Sequence, residues 1–141
     1  MNDAYRTALY GVVKETSTTK GYDLPEPIEA YVVMLLATHV DKTDFLPETT
    51  FAQTLLTIKT SDQAKQLGDT CLFVAGVFPT IGQRKGLNRR YYQDIGSTSY
   101  EMASTMNEQL FPVLAKHFVF LSDFIEATVS SPKLPQSNLF R

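Results

Sequence analysis

From Cys71 to Phe78 the chain reads Cys-Leu-Phe-Val-Ala-Gly-Val-Phe, a stretch with no polar side. A helix that is apolar around its whole circumference is stable only when other elements enclose it. The residues before it favour a helix. Thr60 and Gln63 stand at capping-box spacing, and Ala64, Leu67, Cys71, Leu72 and Ala75 continue at helical period. Pro79 stops it, because the proline ring collides with the carbonyl four residues back. The sequence therefore predicts a buried central helix over 61–79, with everything else arranged around it. Gly68 and Gly76 lie inside it, and each costs ~1 kcal/mol of helix propensity relative to alanine. The compensation they imply is close approach of a neighbouring backbone.

The flanking segments repeat the helical period. Ala8, Leu9, Val12 and Val13 share one face, and the polar, β-branched run from Thr16 to Gly21 predicts its end. Pro25 and Pro27 open a second helix, where a missing N–H costs nothing. Ile28, Tyr31, Val32, Leu35, Leu36 and His39 line one side of it, and Val33 and Met34 extend the apolar surface onto its flanks. Thr50 and Gln53 form another capping box, ahead of Ala52, Leu55 and Leu56. Asp41 to Pro47 reads as a loop.

Asn88 is placed to cap a helix carrying Tyr92, Ile95, Ser99, Ala103 and Met106 in a stripe, with Gly96 on the same side for a tight crossing. A last helix from Pro112 puts Leu114, His117, Phe118, Leu121, Ile125 and Val129 on one face. No segment alternates long enough to require a strand. The predicted architecture is all-α, a single-domain bundle of about five or six helices. It spans residues 1–130, and the turn-forming composition of 131–141 predicts an extended or mobile tail.

A chain of 141 residues suits one domain and can bury ~68–70% of its unfolded surface, so the core needs no metal or disulfide staple. Its net charge of −2 argues against gripping nucleic acid through overall charge. The single cysteine, Cys71, permits no internal disulfide and fits a reducing compartment. The first residues lack a basic region followed by an apolar run. The longest apolar stretches, Ala30–Ala37 and Cys71–Pro79, fall short of the ~20 residues that a spanning helix needs. The expected setting is the cytoplasm, away from any membrane.

Most catalytic constellations are missing from the sequence. His39 and His117 lie far apart, neither has a second ligand at i+3 or i+4, and no metal or other cofactor is expected. Both continue apolar stripes, as core or rim histidines do. Cys71 lies on the most buried helix, where a thiol is inert. No serine stands in a Gly-x-Ser-x-Gly elbow, and Gly76, Gly82 and Gly86 are too irregularly spaced for a phosphate loop.

The segment with most chemical character runs from Leu67 to Tyr100. Asp69 is a carboxylate in an otherwise apolar helix, and a buried carboxylate needs a cation or several donors. Arg84, Lys85, Arg89 and Arg90 are the nearest cations, and Tyr91, Tyr92 and Tyr100 bring phenolic hydroxyls. One reading is an internal lock between the 61–79 and 88–106 helices. Another gathers Asp69, Arg84, Arg89, Tyr91, Tyr92, Asp94 and Tyr100 around a ligand-binding pocket. A third sets Arg84 to Tyr92 against nucleic acid. The connection between the two helices is longer than a helix-turn-helix turn.

The same segment carries a resemblance. Leu67-Gly68-Asp69, Leu72-Phe73, Gly76 and Phe78, then Arg84-Lys85-Gly86, Tyr91-Tyr92-x-Asp94-x-Gly96 and Tyr100, resemble the pattern of a family of small bacterial all-helical proteins with no established activity. The resemblance implies a bacterial, cytoplasmic helical domain and brings no reaction with it.

The functional expectation is a non-enzymatic domain that works by binding a protein partner, itself included as a homodimer. Phe111, Phe118, Phe120, Phe124 and Ile125 surround more than one side of the last helix and make it the expected interface. The alternatives are a small-molecule-binding domain or small enzyme built on the Asp69 cluster, and a regulatory nucleic-acid binder.

Overall fold

The computed structural model describes residues 3–22, 24–39, 50–80, 83 and 86–131, with side chains from Arg6 onward. Seven α-helices follow in order: α1 (Asp3–Thr19), α2 (Glu26–His39), α3 (Phe51–Leu56), α4 (Ser61–Val77), α5 (Arg89–Met102), α6 (Phe111–Lys116) and α7 (Phe118–Val129). A 3-10 turn, Ser104–Met106, separates α5 from α6. No strand occurs among the described residues. The predicted loop at Asp41–Pro47 and the tail beyond Ser131 lie outside the described residues. No helix among the described residues is long and apolar enough to cross a membrane.

The predicted central helix is α4. Every residue from Leu67 to Val77 is buried except Thr70, and α2, α3, α5 and α7 all pack against it. The glycines mark the tightest crossings. A Cβ on Gly68 would stand 2.6 Å from Cδ1 of Tyr100, and one on Gly76 would stand 2.5 Å from Cγ2 of Ile125. On α5, a Cβ at Gly96 would meet Cζ of Phe118 at 2.2 Å and Cβ of Cys71 at 2.7 Å. The space the glycines leave is filled mainly by bulky side chains rather than by backbone.

Capping follows the sequence closely. Thr50 and Gln53 form the full reciprocal box at α3. At α4, Thr60 Oγ1 accepts from the Gln63 N–H at 3.1 Å, while Gln63 Oε1 takes the N–H of Lys59 instead of completing the box. Asn88 Oδ1 accepts from the Tyr91 N–H at 3.2 Å.

Three expectations about helix limits change. Helix α1 runs through the Thr16–Thr19 stretch because its hydroxyls bond to carbonyls rather than unwinding the turn. Thr18 donates to Lys14 O, Ser17 donates to Tyr22 O, and the turn comes at Gly21 with φ 72°. The stripe of α5 stops at Met102, leaving Met106 on the 3-10 turn and 46% exposed. The last helix divides at His117 into α6 and α7, which raises the number of α-helices among the described residues to seven. The hydrogen-bond ladder is interrupted there: the His117 N–H still reaches Val113 O and the Leu121 N–H reaches His117 O, while the Ala115 carbonyl accepts from the Ser97 hydroxyl at 2.8 Å instead. The bend sets Phe111 and Leu114 on one arm and Phe118, Leu121, Phe124 and Ile125 on the other into the core, with His117 turned out to solvent.

Candidate functional site

Asp69 sits on the α4 face where α2 and α5 meet. Its Oδ1 accepts from the Tyr31 hydroxyl at 2.5 Å and from the Tyr100 hydroxyl at 2.8 Å. Its Oδ2 takes the Lys65 ammonium at 3.0 Å, one helical turn earlier on α4. The rings close over it: Tyr31 stands edge-on to Tyr100 and to Phe111, at centroid distances of 6.4 and 6.0 Å. Burial, and then the neighbouring Asp69 charge, push both phenols well above their ordinary range, so they serve as permanent donors. This is the internal lock anticipated from the sequence, made by tyrosines and a lysine. It ties together α2, α4 and α5.

The other members of the expected cluster go elsewhere. Arg89 Nε donates to Ala75 O at 2.8 Å, one of the carbonyls that α4 leaves open at its C-terminus, and the guanidinium pairs with Asp123 and Glu126 on α7. The Tyr91 hydroxyl accepts the Ala52 N–H at 3.1 Å and so satisfies the open start of α3. Tyr92 is buried edge-on against Phe51. Asp94 is exposed and pairs with Arg90 one turn away. Arg84 lies outside the described residues, as does Lys85. Of the six described members, Asp69 and Tyr100 are joined by a hydrogen bond and the adjacent Tyr91 and Tyr92 rings stand edge-on at 5.0 Å, but the six do not line one pocket.

The expected interface also needs correction. Phe111, Phe118, Phe124 and Ile125 are 3% exposed or less. Helix α7 packs against α1, α4, α5 and α6, and α6, which carries Phe111, packs against α5 and α7, so those residues are core. Phe120 stays partly accessible, beside the exposed Val119. Cys71 is fully enclosed, and burial pushes its thiol up, away from the reactive thiolate.

Three exposed apolar side chains that the sequence did not single out lie on α3, at the C-terminal end of α5 and on the 3-10 turn. Leu56 is 84% exposed, and Met102 and Met106 are each nearly half exposed. Ser61 Oγ lies 2.9 Å from Thr105 Oγ1, which joins the start of α4 to the 3-10 turn that carries Met106. Leu56 ends α3 shortly before Ser61, and α3 packs on both α4 and α5. Asp62, Glu101 and Glu108 are exposed on or beside the same elements, as is Lys59. The sequence signal was the pair Leu55-Leu56. Adjacent positions on a short helix point apart, so only one can face the core. No family model, curated protein or solved structure matches the chain.

Proposed function

We propose that the protein works by holding a basic, amphipathic segment of a partner protein on the Leu56–Met102–Met106 end of the bundle. The observation that carries the reading is the 84% exposure of Leu56, with Met102 and Met106 also accessible on the segments that pack with α3 and α4. An isolated exposed leucine needs no explanation, whereas grouped apolar side chains on a folded surface favour a partner. Methionine side chains adapt their shape to what they cover, a property of surfaces that receive apolar helix faces. Asp62, Glu101 and Glu108 supply the charge complement to a cationic partner and disfavour an acidic one.

The test uses a fluorescent Lys/Leu amphipathic peptide and its Glu/Leu counterpart. Anisotropy should show saturable binding of the cationic peptide only, and Leu56→Ser should weaken it with the fold intact by circular dichroism. Equal binding of both peptides, or no loss in Leu56→Ser, would overturn the reading. So would sedimentation showing that this end is occupied by a second copy of the chain.

A further inference from the structure

A second feature lies apart from the partner surface, where the chain entering α2 meets the bend at His117. Leu24, Pro25, Ile28, Val113, His117, Phe120 and Leu121 enclose a recess of about 270 Å³. Ile28 and Leu121 are deeply buried, and His117 is exposed. Val113 lies on α6, His117 at the junction and Phe120 and Leu121 on α7, so the recess spans the α6–α7 junction. The chain just before Leu24 is tied to the α7 side: the Tyr22 ring stands edge-on to Phe120 at 4.8 Å and to Phe124 at 5.4 Å, and the Ser17 hydroxyl donates to the Tyr22 carbonyl. The space is therefore built before anything enters it, which lowers the ordering cost of binding.

Its chemistry narrows the occupant. Of the described lining residues, six are apolar, the seventh is an imidazole, and none is Asp, Glu, Lys or Arg. A charged group would lose its hydration there with no opposite charge among the described wall residues. An apolar cavity of ~150 Å³ is enough for benzene, so this recess has room for about two fused rings. We propose that it binds a small uncharged aromatic molecule, with a single polar edge hydrogen-bonded to the His117 imidazole.

The probe is indole, titrated into the isotope-labelled full chain and followed by amide chemical shifts. Saturable shifts should centre on Ile28, Val113, His117 and Leu121. Val113→Phe puts a ring into the space and should weaken indole about tenfold or more; Leu24→Phe serves the same purpose if the first variant fails to fold. His117→Ala should weaken indole roughly 3–10-fold, the worth of one hydrogen bond, and leave N-methylindole unchanged because it lacks the N–H. The proposal is overturned if indole gives no saturable shifts at these residues up to its solubility. It is also overturned if binding survives both filling variants, or if His117→Ala affects the two indoles alike. Neither α3 nor the 3-10 turn lines this recess, so its outcome is independent of the partner-binding test.

Discussion

Tyr100 donates its hydroxyl to Asp69 Oδ1 at 2.8 Å while its ring lies against Gly68, the residue just before. Two neighbouring positions on α4 thus receive one side chain from α5: the missing Cβ admits the ring, and the carboxylate fixes its far end. Tyr31 shares the same oxygen from α2. Sequence neighbours, a helix crossing and a buried charge are one structural unit.

Removing the donors should therefore be costly and non-additive. Tyr100→Phe should lower stability by about 1.5–3 kcal/mol, the range for a hydrogen bond to a charged group. Asp69→Ala should cost at least as much, since it leaves the wholly buried Tyr100 hydroxyl without its acceptor. Tyr31→Phe and Tyr100→Phe act on the same carboxylate, so the double variant should depart from additivity by ~0.5 kcal/mol or more. Urea midpoints at unchanged slope measure all three.

The glycines predict opposite signs for one chemical change. Alanine at Gly96 must displace Phe118 and Cys71, an overpacking that should destabilise by about 1–3 kcal/mol. Gly11 lies within α1 with nothing within 4 Å of an added Cβ. Gly11→Ala should stabilise by ~0.5–1 kcal/mol through helix propensity alone. Thermal or urea unfolding of both variants decides it.

Alkali should weaken the fold. Tyr31, Tyr100 and Cys71 are all raised above their ordinary values, 10.0 for the phenols and 9.0 for the thiol, chiefly by burial. Each stays protonated in the native state while the unfolded chain releases its proton, so the native state binds more protons and stability falls as pH rises. Their contribution is complete below about pH 9 and declines from there upward, with a limiting slope of ~1.4 kcal/mol per pH unit for each group. Urea midpoints between neutral pH and about pH 11 should show the decline, and Tyr31→Phe should flatten it.

The Cys71 thiol should be silent in the folded protein. It is 0% exposed and lies beneath Gly96. A disulfide reagent should label it at a rate set by opening of the fold, and at once in denaturant. Rapid stoichiometric labelling under native conditions would contradict the placement of α4.

The helix period told which face of each segment is apolar, and the caps at Thr50, Thr60 and Asn88 told where helices begin; those signals are local and survive folding. The centrality of α4 was legible because a helix without a polar side has one place to go. Partner choice was not. Asp69 bonds Tyr31, distant in sequence, because of how α2 is rotated against α4, and no local pattern encodes that rotation. Lys65, one turn before Asp69 on the same helix, reaches it at 3.0 Å and is closer in sequence than any cation of the 84–90 run. Arg89 found an open helix end and two acids on α7 instead. The bend at His117 has no proline or glycine to announce it, so the aromatic residues beyond it read as surplus when they are core.

Amide hydrogen exchange resolved along the chain puts the architecture at risk most directly. Amides of Leu72 to Ala75 should be the slowest in the molecule and open only with global unfolding, while those of α3 exchange by local opening. Exchange across Leu72–Ala75 as fast as across Phe51–Leu56 would mean that α4 is not the enclosed axis of the bundle.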